Sequence, residues 1–307
     1  MPTFVQFLHP GGEYILNAKE RVQSLKEWNY HEEHCRKILK AKGYYVRNGK
    51  QIGKSHLLEF WGEWEPESKV SEPQYRVHEP VLFKNANGKI LTPDYVADID
   101  RMPIFRQNTD PFVFGKDGFL YSLCRQVRGG IKTAMRYLEP GSIIVFGSCL
   151  DKRYFAVDTV FVVKTYCDYN PICMELDLKN FIPNSREYED IMGPITCASV
   201  NSLRCYKGAS PTAPLCNMYS YAPCRKFIDN ANPFQRPILS TSSFATLRLS
   251  TGQSLIISDK LYTNYRCTEG LSLTDMKQIW DILYDVLIKK TGLLPGTQFF
   301  YGVNKVR

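Results

Sequence analysis

The side chains of this chain that are best suited to chemistry fall between Thr109 and Val163, where small polar residues alternate with apolar β-type runs. These polar residues are Asp110, Ser122, Gln126, Ser148, Asp158 and Thr159. A few polar groups set among apolar ones are typical of a ligand pocket. No complete catalytic signature accompanies them, so the segment predicts a pocket rather than a reaction.

The YSLCRQ segment is interpreted as a strand that reads a ligand. Ser122, Cys124 and Gln126 then alternate onto one face, and Arg125 points the other way. A hydroxyl, a thiol and an amide on one face can read the edge of a base, since the amide carries both a donor and an acceptor. The alternative is a half-buried strand whose polar groups are satisfied within the protein.

Aromatic residues supply the second predicted wall of the pocket. Trp61 and Trp64 flank Gly62 in FWGEWEPES, and a bulge at Gly62 would turn both rings to one side as a clamp for a base. Phe114 lies in TDPFVFG, close after Asp110. The alternative places one tryptophan in the core and the other on the surface.

Asp158 and Thr159 interrupt an apolar strand, and Ser148 ends the strand before it. A carboxylate is costly to bury unless it is paired or hydrogen-bonded. Asp158 is therefore predicted to have a specific partner: a backbone turn, Arg125 or a ligand.

His9 and Glu13 lie on either side of a Pro-Gly-Gly turn, which can fold the imidazole back onto the carboxylate. The pair either forms a wall of the site or simply fixes the turn. Cys124 and Cys149 have no basic partner within their own segments. A nucleophilic cysteine would need a base such as His9 to arrive through the fold.

A metal-dependent nuclease is the enzymatic alternative. Asp94, followed at a distance by Glu175, Asp177 and Lys179, resembles the acid and lysine pattern of restriction-type nucleases, although the last residues also fit an exposed strand face. The ten cysteines include no C-x-x-C pair, which argues against a zinc ribbon. No cofactor and no metal are expected.

Composition and charge favour an anionic partner. The 307 residues are 44% hydrophobic and 13% aromatic, and 39 Lys and Arg against 31 Asp and Glu give a net charge of +8. We expect Arg125, Lys132 or Arg136 to meet phosphate. No signal peptide and no membrane-length apolar run is recognisable, so a cytoplasmic protein with reduced thiols is expected, without a membrane partner.

Local patterns predict the secondary structure. Helices are expected over residues 18–42, ended by Gly43, over 130–138, over 185–191, and from a cap at Ser272 onward. Hairpins are expected at Asn48-Gly49, at Asn87-Gly88 and between the strands SIIVFG and YFAVDTVFVVKTY, with further strands at HLLEFWGEWEPES and ILSTSSFATLRLS. A single compact α+β unit over residues 1–307 is predicted.

The order of helix, Pro-Gly turn, strand SIIVFGS and strand FAVDTVFVV resembles the central part of PUA-like domains of the EVE, ASCH and YTH branches. Ser142 stands where many relatives carry Asp. The resemblance implies a mixed or antiparallel β-barrel with flanking helices, a core at about residues 55–165 with these two strands in the barrel wall, and a pocket for a modified base or RNA. It also implies that Trp61, Trp64, Ser122, Gln126 and Ser148 surround that pocket. HPGGEY, FWGEWEPES and NTDPFVFG give the whole chain a resemblance to bacterial proteins associated with nucleotide modification or defence loci.

These observations predict a protein that binds a nucleic acid or nucleotide and recognises a base, with modified bases included, in an aromatic-walled pocket. Two alternatives remain open: an enzyme acting on nucleic acid or nucleotides, and a structural subunit of a larger complex. Whether the protein is an enzyme, and its oligomeric state, are left undecided by the sequence.

Overall fold

The computed structural model describes residues 1–9, 25–26, 36–63, 68–71, 92–94, 110–150, 154–183, 202–228, 236–260 and 264–300. Its strands, in chain order, are β1 (Phe4–Leu8), β2 (Leu25–Lys26), β3 (Arg36–Arg47), β4 (Lys50–Gln51), β5 (His56–Glu63), β6 (Ser68–Ser71), β7 (Thr92–Asp94), β8 (Leu120–Tyr121), β9 (Val127–Arg128), β10 (Ile131–Lys132), β11 (Ile143–Leu150), β12 (Tyr154–Tyr169), β13 (Leu203–Gly208), β14 (Ala222–Lys226), β15 (Ile238–Leu239), β16 (Tyr265–Thr268) and β17 (Leu294–Phe300). The α-helices within these ranges are α1 (Met174–Leu178) and α2 (Leu273–Tyr284). Short 3-10 turns cover Ala134–Arg136, Pro171–Cys173 and Thr241–Phe244, and a π-helical turn covers Asp285–Lys289.

A small closed barrel forms one layer of the molecule. Its strand order is β17-β14-β5-β3, and pairing between β17 and β3 closes the ring. Closure leaves these strands without a free edge. The expected hairpin at Asn48-Gly49 is confirmed: it joins β3 to β4, with φ of 52° and 74° at the two turn residues.

A mixed sheet forms the second layer, in the order β16-β1-β11-β12-β13-β8, and β15 pairs with β12. Strand β1 runs parallel to β11, whereas β11 and β12 form the expected antiparallel hairpin. The hairpin is confirmed, but its placement differs from the expectation: these strands belong to this sheet and not to the closed barrel. The α+β class and the presence of a barrel are confirmed.

Both faces of the mixed sheet are buried, and each packs on a different layer. Ile144 and Phe146 face a core shared with the barrel, while Ile143 and Val145 face a core shared with α2. Strands buried on both faces have nearly continuous apolar sequences. The same strands therefore lack the apolar-polar alternation of a barrel with a solvated outside.

Helix α2 confirms the cap predicted at Ser272. The Ser272 hydroxyl accepts a hydrogen bond from the Asp275 N–H at 3.0 Å, and the Asp275 carboxylate accepts one from the Ser272 N–H at 3.0 Å. This reciprocal capping box satisfies two N–H groups at the helix start. Met276, Ile279 and Leu283 then bury one face of the helix.

Two strands differ from the sequence prediction, and so does the helix expected over residues 130–138. Residues 36–42, expected to be helical, begin β3, and Gly43 lies inside that strand rather than ending a helix. Pairing with both β5 and β17 overrides the local helical pattern. The expected strand ILSTSSFATLRLS is a two-residue strand, β15, followed by a 3-10 turn.

The helix expected over residues 130–138 is instead the hairpin of β9 and β10 followed by the turn Ala134–Arg136. Gly129 and Gly130 have φ of 56° and 80°, a left-handed pair that a two-residue hairpin loop requires. The hairpin expected at Asn87-Gly88 and the helix expected over residues 185–191 lie outside the described residues. None of the helices described here is long and apolar enough to cross a membrane.

Candidate functional site

A buried carboxylate organises the loop that follows β8. Asp110 accepts hydrogen bonds from the backbone N–H groups of Ser122 at 3.1 Å, Leu123 at 2.7 Å and Cys124 at 2.7 Å. The Tyr121 hydroxyl donates to the Cys124 carbonyl at 2.5 Å. Charge-assisted bonds of this kind are among the strongest hydrogen bonds in proteins, so the position of Cys124 is well determined.

His9 follows the end of β1 and is fully buried. Its backbone N–H donates to the Gly147 carbonyl at 2.8 Å, and its ring packs against Phe7 and Phe146 at centroid distances of 5.5 Å and 6.4 Å. A side chain at Gly147 would place a Cβ 2.2 Å from the Ala156 carbonyl, so the close approach of β11 and β12 at this point requires glycine.

The fold brings His9 to Cys124. The imidazole Nε2 lies 3.1 Å from the Cys124 Sγ, across 115 residues of sequence, and Cys124 is partly exposed. An imidazole beside a thiol can take its proton and favour the nucleophilic thiolate. Glu13, the sequence-predicted partner of His9, lies outside the described residues.

Asp158, Arg236 and Ser148 form a second polar cluster. The Arg236 Nη2 lies 2.6 Å from Asp158 Oδ1, and the guanidinium donates to Ser148 Oγ at 2.8 Å and to the Ala156 carbonyl at 2.9 Å. The sequence predicted a specific partner for Asp158, which is confirmed, but the partner is Arg236 and not Arg125. All three side chains are buried, so the cluster cross-links the sheet to the segment that carries Arg236.

A narrow cleft borders the Asp158 cluster. Trp61, Pro111, Phe146, Asp158 and Thr159 are among its lining residues. Phe146 also packs against the His9 ring, and Pro111 follows Asp110 directly, so residues of the cleft wall adjoin both His9 and Asp110.

The predicted aromatic clamp is only partly described. Trp61 is 2% exposed, with the Arg236 guanidinium 5.8 Å from its ring, so it lies in the core beneath the cleft rather than on an open surface. Phe114 is also buried and packs against Phe60 and Phe299 in the barrel. Trp64 lies outside the described residues.

The expected strand face of Ser122, Cys124 and Gln126 is not formed. Residues 122–126 form a turn, in which Arg125 has a φ of 63°. The Gln126 amide donates to the Arg204 carbonyl at 2.7 Å and accepts from the Arg204 N–H at 2.9 Å. One donor and one acceptor of Gln126 therefore hold the turn to β13, and Ser122 is fully buried.

Arg136, expected to meet phosphate, is 3% exposed and pairs with Asp168 at 2.6 Å. Arg204 pairs with the same carboxylate at 2.8 Å and stacks on the Tyr166 ring at 3.7 Å. The hydrogen bond from Arg204, together with that from Arg136, lowers the pKa of Asp168 to about 2. Arg136 is therefore committed to an internal ion pair and is not available to a ligand.

The hairpin of β9 and β10 follows the Cys124 turn directly. Arg128 and Lys132 are exposed, Arg125 is partly exposed at the base of the hairpin, and Ile131 is 75% exposed at the end of its loop. Within the described part of the chain, no carboxylate forms an ion pair with Arg125, Arg128 or Lys132. Sequence reasoning missed this hairpin, although the dipeptide Gly129-Gly130 is a signal for one.

The acidic residues considered for a nuclease are divided between two elements, α1 and β7. Glu175 and Asp177 are on α1, a five-residue helix, where the Asp177 carboxylate accepts from the Asn170 N–H at 2.8 Å. Asp94 ends β7, and Lys179 follows α1. Among the described residues, no group of three or more His, Cys, Asp or Glu is arranged to hold a metal ion.

The chain matches no protein-family model, no curated protein and no solved structure. Function is therefore inferred from the residues of the site.

Proposed function

We propose that this protein binds a nucleotide or nucleic acid, and that the hairpin of β9 and β10 contacts its phosphates. The observation that carries the proposal is the set of three basic side chains, Arg125, Arg128 and Lys132, presented on or beside this hairpin without a carboxylate partner among the described residues. The net charge of +8 adds a general attraction for anions.

Phosphate contacts supply essentially all of the affinity of non-specific nucleic-acid binding and a large share of specific binding. Arginine offers a planar fork of donors that matches phosphate geometry, and lysine adds a mobile point charge. The Gly129-Gly130 loop has no side chains that would hold a phosphate backbone away from the cations. The hairpin is thus suited to positioning a polyanion beside the Cys124 turn.

Apolar groups near these cations suit contact with bases. Ile131 is 75% exposed, and Tyr137, which ends the turn after the hairpin, is 59% exposed. Stacking of a base on an aromatic ring contributes about 1–3 kcal/mol and tolerates any base. This surface replaces the buried Trp61 as the proposed place of base contact.

Fluorescence anisotropy of the full chain tests the proposal. The probes are labelled single-stranded DNA, double-stranded DNA and RNA, each of about 20 nucleotides, and labelled ATP, at salt concentrations from about 50 to 200 mM. The test variant is Arg128→Ala/Lys132→Ala. The matched control, Lys289→Ala/Lys290→Ala, removes the same charge from exposed positions at the end of the last helical segment.

We expect the hairpin variant to lose about tenfold or more in affinity and to show a shallower salt dependence, because each lost phosphate contact removes counterion release. The control is expected to stay within about twofold of the unmodified protein. Equal losses in both variants, or no binding of any probe by the unmodified protein, would contradict the proposal.

A further inference from the structure

Cys124 differs from the other described cysteines in its surroundings. Cys205 and Cys224 are buried, and burial raises the pKa of the Cys224 thiol. Cys167 and Cys267 each lie beside a carboxylate, and burial together with that negative charge raises their thiol pKa. Cys124 is partly exposed and has the imidazole Nε2 of His9 at 3.1 Å.

Hydrogen bonds hold the backbone around Cys124 in a defined turn. Asp110 and Tyr121 fix the turn from one side, and Arg125 turns the chain sharply with its φ of 63°. No described group accepts a hydrogen bond from the Arg125 N–H. In one common arrangement for acyl transfer, the N–H of the residue after the nucleophile is one of the donors to the oxyanion.

We propose that Cys124 is a nucleophile, that His9 is its general base, and that the pair hydrolyses an ester or amide carried on a phosphate-bearing substrate. The phosphate-bearing part of the substrate rests on the proposed function, since Arg125, Arg128 and Lys132 would hold it. The reacting pair itself rests only on the geometry of His9 and Cys124.

In the first step, His9 Nε2 takes the thiol proton and the Cys124 Sγ forms a bond to the carbonyl carbon. The carbonyl electron pair moves to oxygen, where the Arg125 N–H stabilises it. Collapse of this intermediate breaks the bond to the leaving alcohol or amine, which takes the proton from His9. Water, deprotonated by His9, then attacks the thioester and releases a carboxylic acid and the free Cys124 thiol.

His9, Asp110 and Tyr121 are ionisable residues that contact the side chain or backbone of Cys124, and Arg125 follows it in the chain. Burial, with the nearby Asp110 charge, raises the pKa of Tyr121 well above its usual value, so the phenol stays neutral near pH 7. Asp110 contacts the backbone of the turn. His9 is thus the group of this set placed to take the thiol proton.

The first test is alkylation of the full chain by iodoacetamide between about pH 5 and 9, with each cysteine quantified by peptide mass spectrometry. Exposed Cys173 is the internal reference. We expect Cys124 to react about tenfold faster than Cys173 at about pH 6, because a paired thiolate persists below the free-thiol pKa of about 8.5. The variant His9→Asn should remove this advantage, whereas His56→Asn, a histidine on β5, should keep it.

Because His9 is buried and its variant can unfold, a second measurement uses the unmodified protein with para-nitrophenyl acetate. We expect a burst of nitrophenolate and an acetyl group on Cys124, both absent in Cys124→Ser. Alkylation of Cys124 no faster than that of Cys173, or acetylation at other residues only, would overturn the proposal. Neither probe carries phosphate, so failure here is distinct from failure of the binding experiment.

Discussion

Asp110 and Asp158 are both buried carboxylates, yet they are satisfied in different ways. Asp110 accepts from three successive backbone N–H groups, whereas Asp158 pairs with the Arg236 side chain. A carboxylate held by backbone donors fixes the path of one short segment. A carboxylate held by a distant guanidinium ties two segments together.

Asp110 therefore positions one loop, whereas Asp158 and Arg236 form a cross-link between two segments. The loop that Asp110 holds carries a partly exposed thiol, Cys124, whereas Arg236, Asp158 and Ser148 are all buried. The same two types of carboxylate recur elsewhere. Asp275 accepts from the backbone N–H groups of Ser250 and of Ser272, the cap of α2, and Asp168 pairs with Arg136 and Arg204.

The largest loss of stability is expected when the buried ion pair between Asp158 and Arg236 is broken. Asp158→Ala removes the carboxylate that pairs with the fully buried Arg236 guanidinium, and we expect a loss of about 3–5 kcal/mol in the free energy of unfolding. Urea denaturation measures it. Asp281→Ala, which breaks an exposed pair with Lys277, should cost less than about 0.5 kcal/mol. A loss below about 1 kcal/mol for Asp158→Ala would remove the distinction drawn between the two carboxylates.

The next effect is expected at the positioning carboxylate. Asp110→Ala leaves three backbone N–H groups without their acceptor, and we expect a loss of about 2–3 kcal/mol. Unlike Asp158→Ala, this change should also speed hydrogen exchange selectively at residues 122–124 and slow the alkylation of Cys124. If hydrogen exchange instead became faster across the whole mixed sheet, Asp110 would be a structural cross-link like Asp158.

A smaller effect is expected at the helix start. Although burial raises the pKa of Asp275, hydrogen bonds from Ser250 and Ser272 lower it to about 2. Its contribution is therefore complete above the unfolded pKa of about 4 and is lost as the pH falls towards 2. Asp275→Ala should cost about 1–2 kcal/mol near pH 7. Thermal unfolding should show this gap narrowing below about pH 4, and a gap independent of pH would contradict the charged capping box.

Among these four carboxylates, the smallest loss of stability is expected at Asp168, which is partly exposed to solvent. Asp168 is 53% exposed, so water screens its charge, and the amide oxygen in Asp168→Asn can still accept from Arg136 and Arg204; the change should cost less than about 1 kcal/mol near pH 7. Because the folded pKa of about 2 lies below the ordinary value, this contribution also disappears as the pH falls from about 4 to 2. Chemical denaturation at several pH values measures it. A cost equal to that of Asp158→Ala would show that burial does not set the strength of these pairs.

Local sequence signals correctly predicted the secondary-structure elements that depend on residues close together in the chain. The cap at Ser272, the hairpin at Asn48-Gly49 and the hairpin of β11 and β12 each depend on residues close together in the chain. The start of β3 was predicted as helix because its strand pairing comes from β5 and β17, which lie later in the sequence. The Gly129-Gly130 hairpin was missed because the residues after it were interpreted as a helix.

The sequence by itself determined which residues carry polar chemistry and that Asp158 needs a specific partner, because the cost of burying charge is a property of the residue and its apolar neighbours. Only the tertiary structure decided that this partner is Arg236 and that His9 meets Cys124 across 115 residues. Such contacts depend on how strands pair and layers pack, and no local pattern specifies them. The residue types therefore indicated which chemistry the site could perform, whereas the tertiary structure determined its geometry.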